Sequence, residues 1–218
     1  MTWDIPGSPP YAGVHVQRNL AEGTYQADLT REAIAALAQR WLISRGADPD
    51  VISQPPMDHM ATDEATQGLE RRLRESGDRF RVVNQYTHDE VLRPQDLNGE
   101  VPPKAVADDG LVYFFKTWII AEDTRPEAGQ HPVRLFFEDV DMKAHSYTLR
   151  EGGFRSVDDA YGWTRDIDAG DNPLPPVSTG PSARVTGALQ RGTMPLLAPG
   201  PTSAIPAPAP AAPRPRSR

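Results

Sequence analysis

Leu111-Val112-Tyr113-Phe114-Phe115-Lys116-Thr117-Trp118-Ile119-Ile120 is the stretch on which the fold turns. β-Branched and aromatic side chains fill it, and Lys116 is its only charge. Strict alternation sends Leu111, Tyr113, Phe115, Thr117 and Ile119 to one side and Val112, Phe114, Lys116, Trp118 and Ile120 to the other. Both sides are mostly apolar, so the stretch reads as a central strand covered on both faces. It is far too short to span a bilayer.

Upstream, Phe80, Val82, Asn84 and Tyr86 alternate with Arg81, Val83, Gln85 and Thr87, a second strand. Residues 88–110, with Pro94, Pro102 and Pro103, read as a long connection. Downstream, strands are expected at 133–137 and 143–149, after a polar loop holding Pro126 and Gly129. Gly152-Gly153 reads as a turn. Ser156-Val157-Asp158-Asp159 matches a capping box and opens a helix to about residue 168 that buries Val157, Ala160, Tyr161, Thr164 and Ile167.

Two helices precede the strands. Thr30 reads as an N-cap for 31–45, where Ala33, Ile34, Leu37, Ala38, Trp41 and Leu42 recur at the 3.6-residue period. Gly46 then suits the residue that ends the helix. A second helix begins after Thr62, buries Ala65, Leu69 and Leu73, and stops at Gly77. Strands joined by loops rather than helices make an antiparallel sheet. The expected fold is α+β: N-terminal helices, three to four mainly antiparallel strands and a C-terminal helix. The element order over 110–168, three strands then a helix, resembles that of the arm-binding domains of tyrosine recombinases. With the preceding helix it is also similar to double-stranded-RNA-binding domains. The likeness is one of element order, and no function is carried across.

Both ends read differently from this body. Residues 1–29 carry Pro6, Pro9, Pro10, Gly7, Gly13 and Gly23 and are expected to form an irregular arm, in which Val14, Val16 and Leu20 could dock on the body and His15-Val16-Gln17 could form a short strand. All sixteen aromatic residues lie at or before Trp163. Residues 173–218 hold twelve prolines and no Asp, Glu, Lys or aromatic. Such a composition buries too little apolar surface to offset the entropy of ordering it. The expected division is therefore an arm at 1–29, one α+β domain at 30–170, and a disordered Pro/Ala/Arg-rich tail at 171–218.

Charge follows the same division. The chain carries −7 and 173–218 carries +5, so residues 1–172 carry −12. An acidic body forfeits the counterion release that drives binding to a phosphate backbone. There is no cysteine, which excludes disulfides, thiol catalysis and Cys-ligated metals. The opening residues have neither the basic start nor the apolar run of a signal peptide, and a cytoplasmic location is expected. Arginine outnumbers lysine twenty to three, and alanine and proline are abundant, a bias typical of GC-rich bacterial genomes.

Candidate chemistry is sparse. His88-Asp89-Glu90 pairs an imidazole with carboxylates, but neighbours on an extended chain point apart. Asp139, Asp141 and His145 share one side of a straight strand and, with His88, would offer oxygen and nitrogen ligands to a divalent metal. An Asp-rich stretch between strands is equally the composition of a hairpin tip. His59, ahead of a helix, reads as structural. Phe114, Phe115, Trp118, Phe136 and Phe137 suit a base-stacking sheet or, in alternation with aliphatics, a packed core. Arg71, Arg72, Arg74, Arg79 and Arg81 are the best cationic surface, interleaved with Glu70, Glu75 and Asp78.

No catalytic residue and no cofactor is assigned. The expectation is a non-enzymatic accessory or regulatory protein that binds another protein, compatible with a role in a bacterial mobile element or phage. One alternative is a nucleic-acid-associated regulator using the Arg71 to Arg81 cluster and the basic tail. Another is a metal-dependent enzyme using His88, Asp139, Asp141 and His145. Membrane association is not expected, and the sequence leaves the oligomeric state open.

Overall fold

The computed structural model describes residues 9–52, 60–97, 101, 103–165 and 173–177. Their elements in order are β1 (Tyr11–Asn19), β2 (Thr24–Glu32), α1 (Ala35–Ser44), β3 (Ala61–Thr62), α2 (Glu64–Arg74), β4 (Phe80–Leu92), β5 (Val112–Asp123), β6 (Val133–Asp141), β7 (Ser146–Phe154) and α3 (Val157–Arg165). Helices and a mostly antiparallel sheet coexist, as the patterning implies. The strands are more numerous than expected: β3–β7–β6–β5–β4 form one sheet, and β1–β2 form a separate hairpin. The three-strand run before α3 is thus the middle of a longer sheet. β3 is its parallel edge, pairing Ala61 with Ser146 and Thr62 with Tyr147.

β5 is interior, flanked by β4 and β6. On one face Ile119, Ala121, Phe136 and Leu149 pack with Ala33, Ile34 and Leu37 at α1 and Leu69 and Leu73 of α2. On the other, Ile120, Val133, Leu135 and Phe154 pack with Ala160 of α3. Ile119 and Ile120 are both fully buried, and each such burial contributes ~1.5–3 kcal/mol. Thr117 is buried on the first face, whereas Trp118 is only half-buried on the second, between Tyr86 and Tyr161.

Several local expectations change. The segment before α1 is a regular hairpin in which Val14 pairs with Leu29 and Val16 with Ala27. Thr30 lies inside β2, so it does not cap α1; the cap position is Ile34, which has no side-chain cap bond. Gly46 does stop the helix, at φ +93. The N-cap of α2 is Asp63, which accepts from Thr66 N–H at 2.8 Å. Thr66, not Ala65, joins Leu69 and Leu73 in the core.

β4 runs through His88-Asp89-Glu90 to Leu92, where a connection was expected. Gly152-Gly153 is strand, not turn. The reason is a close neighbour: a Cβ on Gly152 would lie 2.8 Å from Leu174 Cδ2, and one on Gly153 would lie 3.2 Å from the Pro176 carbonyl oxygen. Gly153 N–H also donates to the Pro175 carbonyl at 3.1 Å. Residues 173–177, expected to open the tail, therefore pack on β7, and Leu174 joins the α3-side core. Ser156 Oγ accepts from Asp159 N–H at 3.1 Å, which is the Ser half of the expected box. Ile167, His59 and 178–218 lie outside the described residues. Among the described residues no helix is long and apolar enough to cross a membrane.

Candidate functional site

The acid–imidazole residues are spread along one side of the sheet. His88 is opposite Lys116, and Lys116 is opposite Asp139. Two strand spacings, about 9–10 Å, thus separate His88 from Asp139, too far for both to hold one ion. Each has another contact. His88 Nε2 lies 3.2 Å from Glu90, and Lys104 Nζ donates to Asp139 at 2.5 Å. Asp141 Oδ1 accepts from Ala144 N–H at 2.8 Å and shapes the β6–β7 tip. His145 takes φ +47 in that tip, 3.3 Å from Asp108. Among the described residues no three His, Asp or Glu side chains are grouped to hold a metal.

The five arginines separate as well. Arg81 projects from the α3 side of the sheet onto Glu122. Arg74 lies near Glu70. Arg71, Arg72 and Arg79 line a concave cup of about 500 Å³ together with Arg125, between α2 and the β5–β6 loop. Beneath it lies a buried ion network. Asp123, with its side chain 0% exposed, accepts from Arg79 Nε and Nη2 at 3.1 and 2.7 Å, Arg125 Nε at 3.4 Å and Arg134 Nη2 at 3.3 Å. Burial alone raises the Asp123 carboxyl, but the hydrogen bonds from Arg79 and the Arg125 backbone outweigh it and hold it well below the usual carboxylate range. Arg134 Nε also lies 3.3 Å from Glu151, which Arg72 reaches from outside.

A third group escaped the sequence reading. Glu138 is buried on the α2 side of β6, flanked in register by Thr117 and Leu149. Glu70 of α2, Tyr147 of β7 and Tyr11 of β1 are close enough to act on one another electrostatically. Tyr147 Oη donates to Glu70 at 2.6 Å. Burial, reinforced by Glu70, pushes the Glu138 carboxyl up to about 8. Burial likewise raises Tyr11 and Tyr147. A signal for Glu138 was present: strand alternation puts it on the side of Phe136, away from Asp139.

The last surface is the hairpin. Tyr11 and Gly13 face the body, where Trp41 Cε3 would lie 3.1 Å from a Cβ on Gly13. Register therefore turns Val14, Val16, Ala27 and Leu29 outward, with Tyr25 opposite Arg18. Val14, Val16 and Leu20, expected to dock, are 55%, 51% and 88% exposed, and Tyr25 and Leu29 are 77% and 61% exposed. The hairpin is fastened from behind: Gln85 accepts from Ala33 N–H at 2.9 Å and donates to the Arg31 carbonyl at 3.0 Å, and Arg45 pairs with Asp28 at 3.0 Å.

No protein-family model matches the chain, and it matches no curated protein and no solved structure.

Proposed function

We propose that the protein is a binding module for another protein, and that the outer face of the β1–β2 hairpin is its contact surface. The observation that carries this reading is the register of the hairpin, which gathers Val14, Val16, Leu29 and Tyr25 on one solvent-facing side. Single exposed apolar residues are ordinary, but a contiguous set of them on a fastened platform is a feature of interaction sites. Arg18 stands on the same face, and among the residues paired in the hairpin no acid shares it. Face-to-face pairing of two copies through this hairpin would therefore offer Arg18 no hairpin carboxylate. The favoured occupant is a segment of another protein with an apolar stripe and acidic flanks.

The test is to pan a random displayed-peptide library against the full chain. Acidic–apolar peptides are expected to be enriched, and the double change Val16→Asp, Leu29→Asp should abolish their binding. Enrichment that survives this change, or none at all, would overturn the reading. Concentration-dependent dimerisation in sedimentation, lost with the same double change, would replace the acidic partner with a second copy.

A further inference from the structure

We propose that the cup formed by Arg71, Arg72, Arg79 and Arg125 is a binding site for a small phosphate monoester. The ion network under the cup is unbalanced. Arg72, Arg79, Arg125 and Arg134 share two carboxylates, Asp123 and Glu151. Two positive charges are left over, in a body that is strongly acidic as a whole. Arg134 and Asp123 are almost completely enclosed, at 3% and 0% side-chain exposure, so solvent screens the inner part poorly. The cations that face outward, Arg72 and Arg125 at 47% and 48%, do so into the cup. Arg71 adds a further charge and forms no ion pair among the described residues.

The dipole of α2 accounts for cations in its last turn, where Arg71 and Arg72 stand. It does not account for Arg79 and Arg125, which come from just before β4 and from the β5–β6 loop to meet at one carboxylate. With Arg71 added and Glu75 and Asp78 set against it, a net positive charge remains, and an anionic group placed in the cup would balance it. Guanidinium forks match phosphate oxygens in pairs, which a lysine cluster does not do. A volume of about 500 Å³ falls within the range of small-molecule sites. Glu75 and Asp78, both exposed, also line the cup and oppose any anion. Because the cup keeps a net positive charge despite them, a doubly charged monoester gains more there than a singly charged diester.

Inorganic phosphate and methyl phosphate, titrated into the full chain at constant ionic strength, test this by NMR. Saturable shifts of the Arg71, Arg79 and Arg125 side-chain N–H signals are expected. Arg71→Ala should weaken binding about tenfold, the equivalent of one charge-assisted hydrogen bond. Arg71 makes no ion pair with a described residue, so this variant should keep the wild-type melting temperature. Arg125→Ala is the second variant, and Arg81→Ala, on the other side of the sheet, should leave affinity unchanged. Non-saturating shifts, equal shifts with chloride, or wild-type affinity in both cup variants would overturn the proposal.

Discussion

Glu138 shows what one residue contributes when the fold decides its surroundings. In the unfolded chain it ionises near its ordinary value of 4.5; in the fold its carboxyl is raised to about 8 by burial and by Glu70. The folded state therefore binds a proton that the unfolded state releases. Its contribution to stability is fully present below about pH 4.5 and is lost progressively as pH rises to about 8. Tyr11, Glu70 and Tyr147 face it from β1, α2 and β7, and Arg74 stands beside Glu70. Glu138→Gln keeps the shape and removes the titration. Urea denaturation over pH 5–9 should show a flatter profile for the variant. At pH 9 it should be more stable than the parent by on the order of a few kcal/mol. Parallel profiles would mean that Glu138 is already solvated in the native state. The alternation that places Glu138 beside Phe136 was legible in sequence. Glu70 and Tyr11, many residues away, were not.

At the scale of elements, glycines and neighbours decided what periodicity left open. Gly152 and Gly153 have the composition of a turn, yet they extend β7 because residues 173–177 lie where their side chains would stand. That contact makes the short proline segment part of the folded unit. A chain ending after Asp171 should lose about 1–2 kcal/mol, or several degrees of melting temperature, relative to one ending after Val177. Equal melting curves would show that Leu174 adds nothing to the α3-side core. The two inner helices were read from their apolar stripes, but the first was started a full turn too early, because Thr30 to Glu32 belong to β2. The hairpin was not so read, because the residues that alternate in it, Val14 and Val16, face solvent. Alternation near the surface does not say which face is buried. Only the packing of Gly13 against Trp41 of α1, with Tyr11 turned toward Glu138 and Glu70, does.

For the whole molecule, charge position matters more than charge total. Arg71, Arg72 and Arg79 line a cup over buried acids, while Arg81 projects from the opposite side of the sheet. A duplex would meet no continuous cationic stripe among the described residues, and residues 1–172 carry −12. A chain ending after Val177 is therefore expected to give no shift with duplex DNA at any step of a salt series reaching physiological ionic strength. A tight complex lost on replacing Arg71, Arg72 and Arg74 would favour a nucleic-acid role over protein binding. By itself the sequence determined the α+β class, the central strand at 111–120, the two inner helices and the change in composition at about Asp171. These follow from local periodicity and composition, which each short stretch carries alone. Tertiary structure alone decided the strand order, the outward face of the hairpin, the cup of arginines and the buried Glu138 cluster. Each of these joins residues far apart in the chain, and their distances are set by how sheet and helices pack.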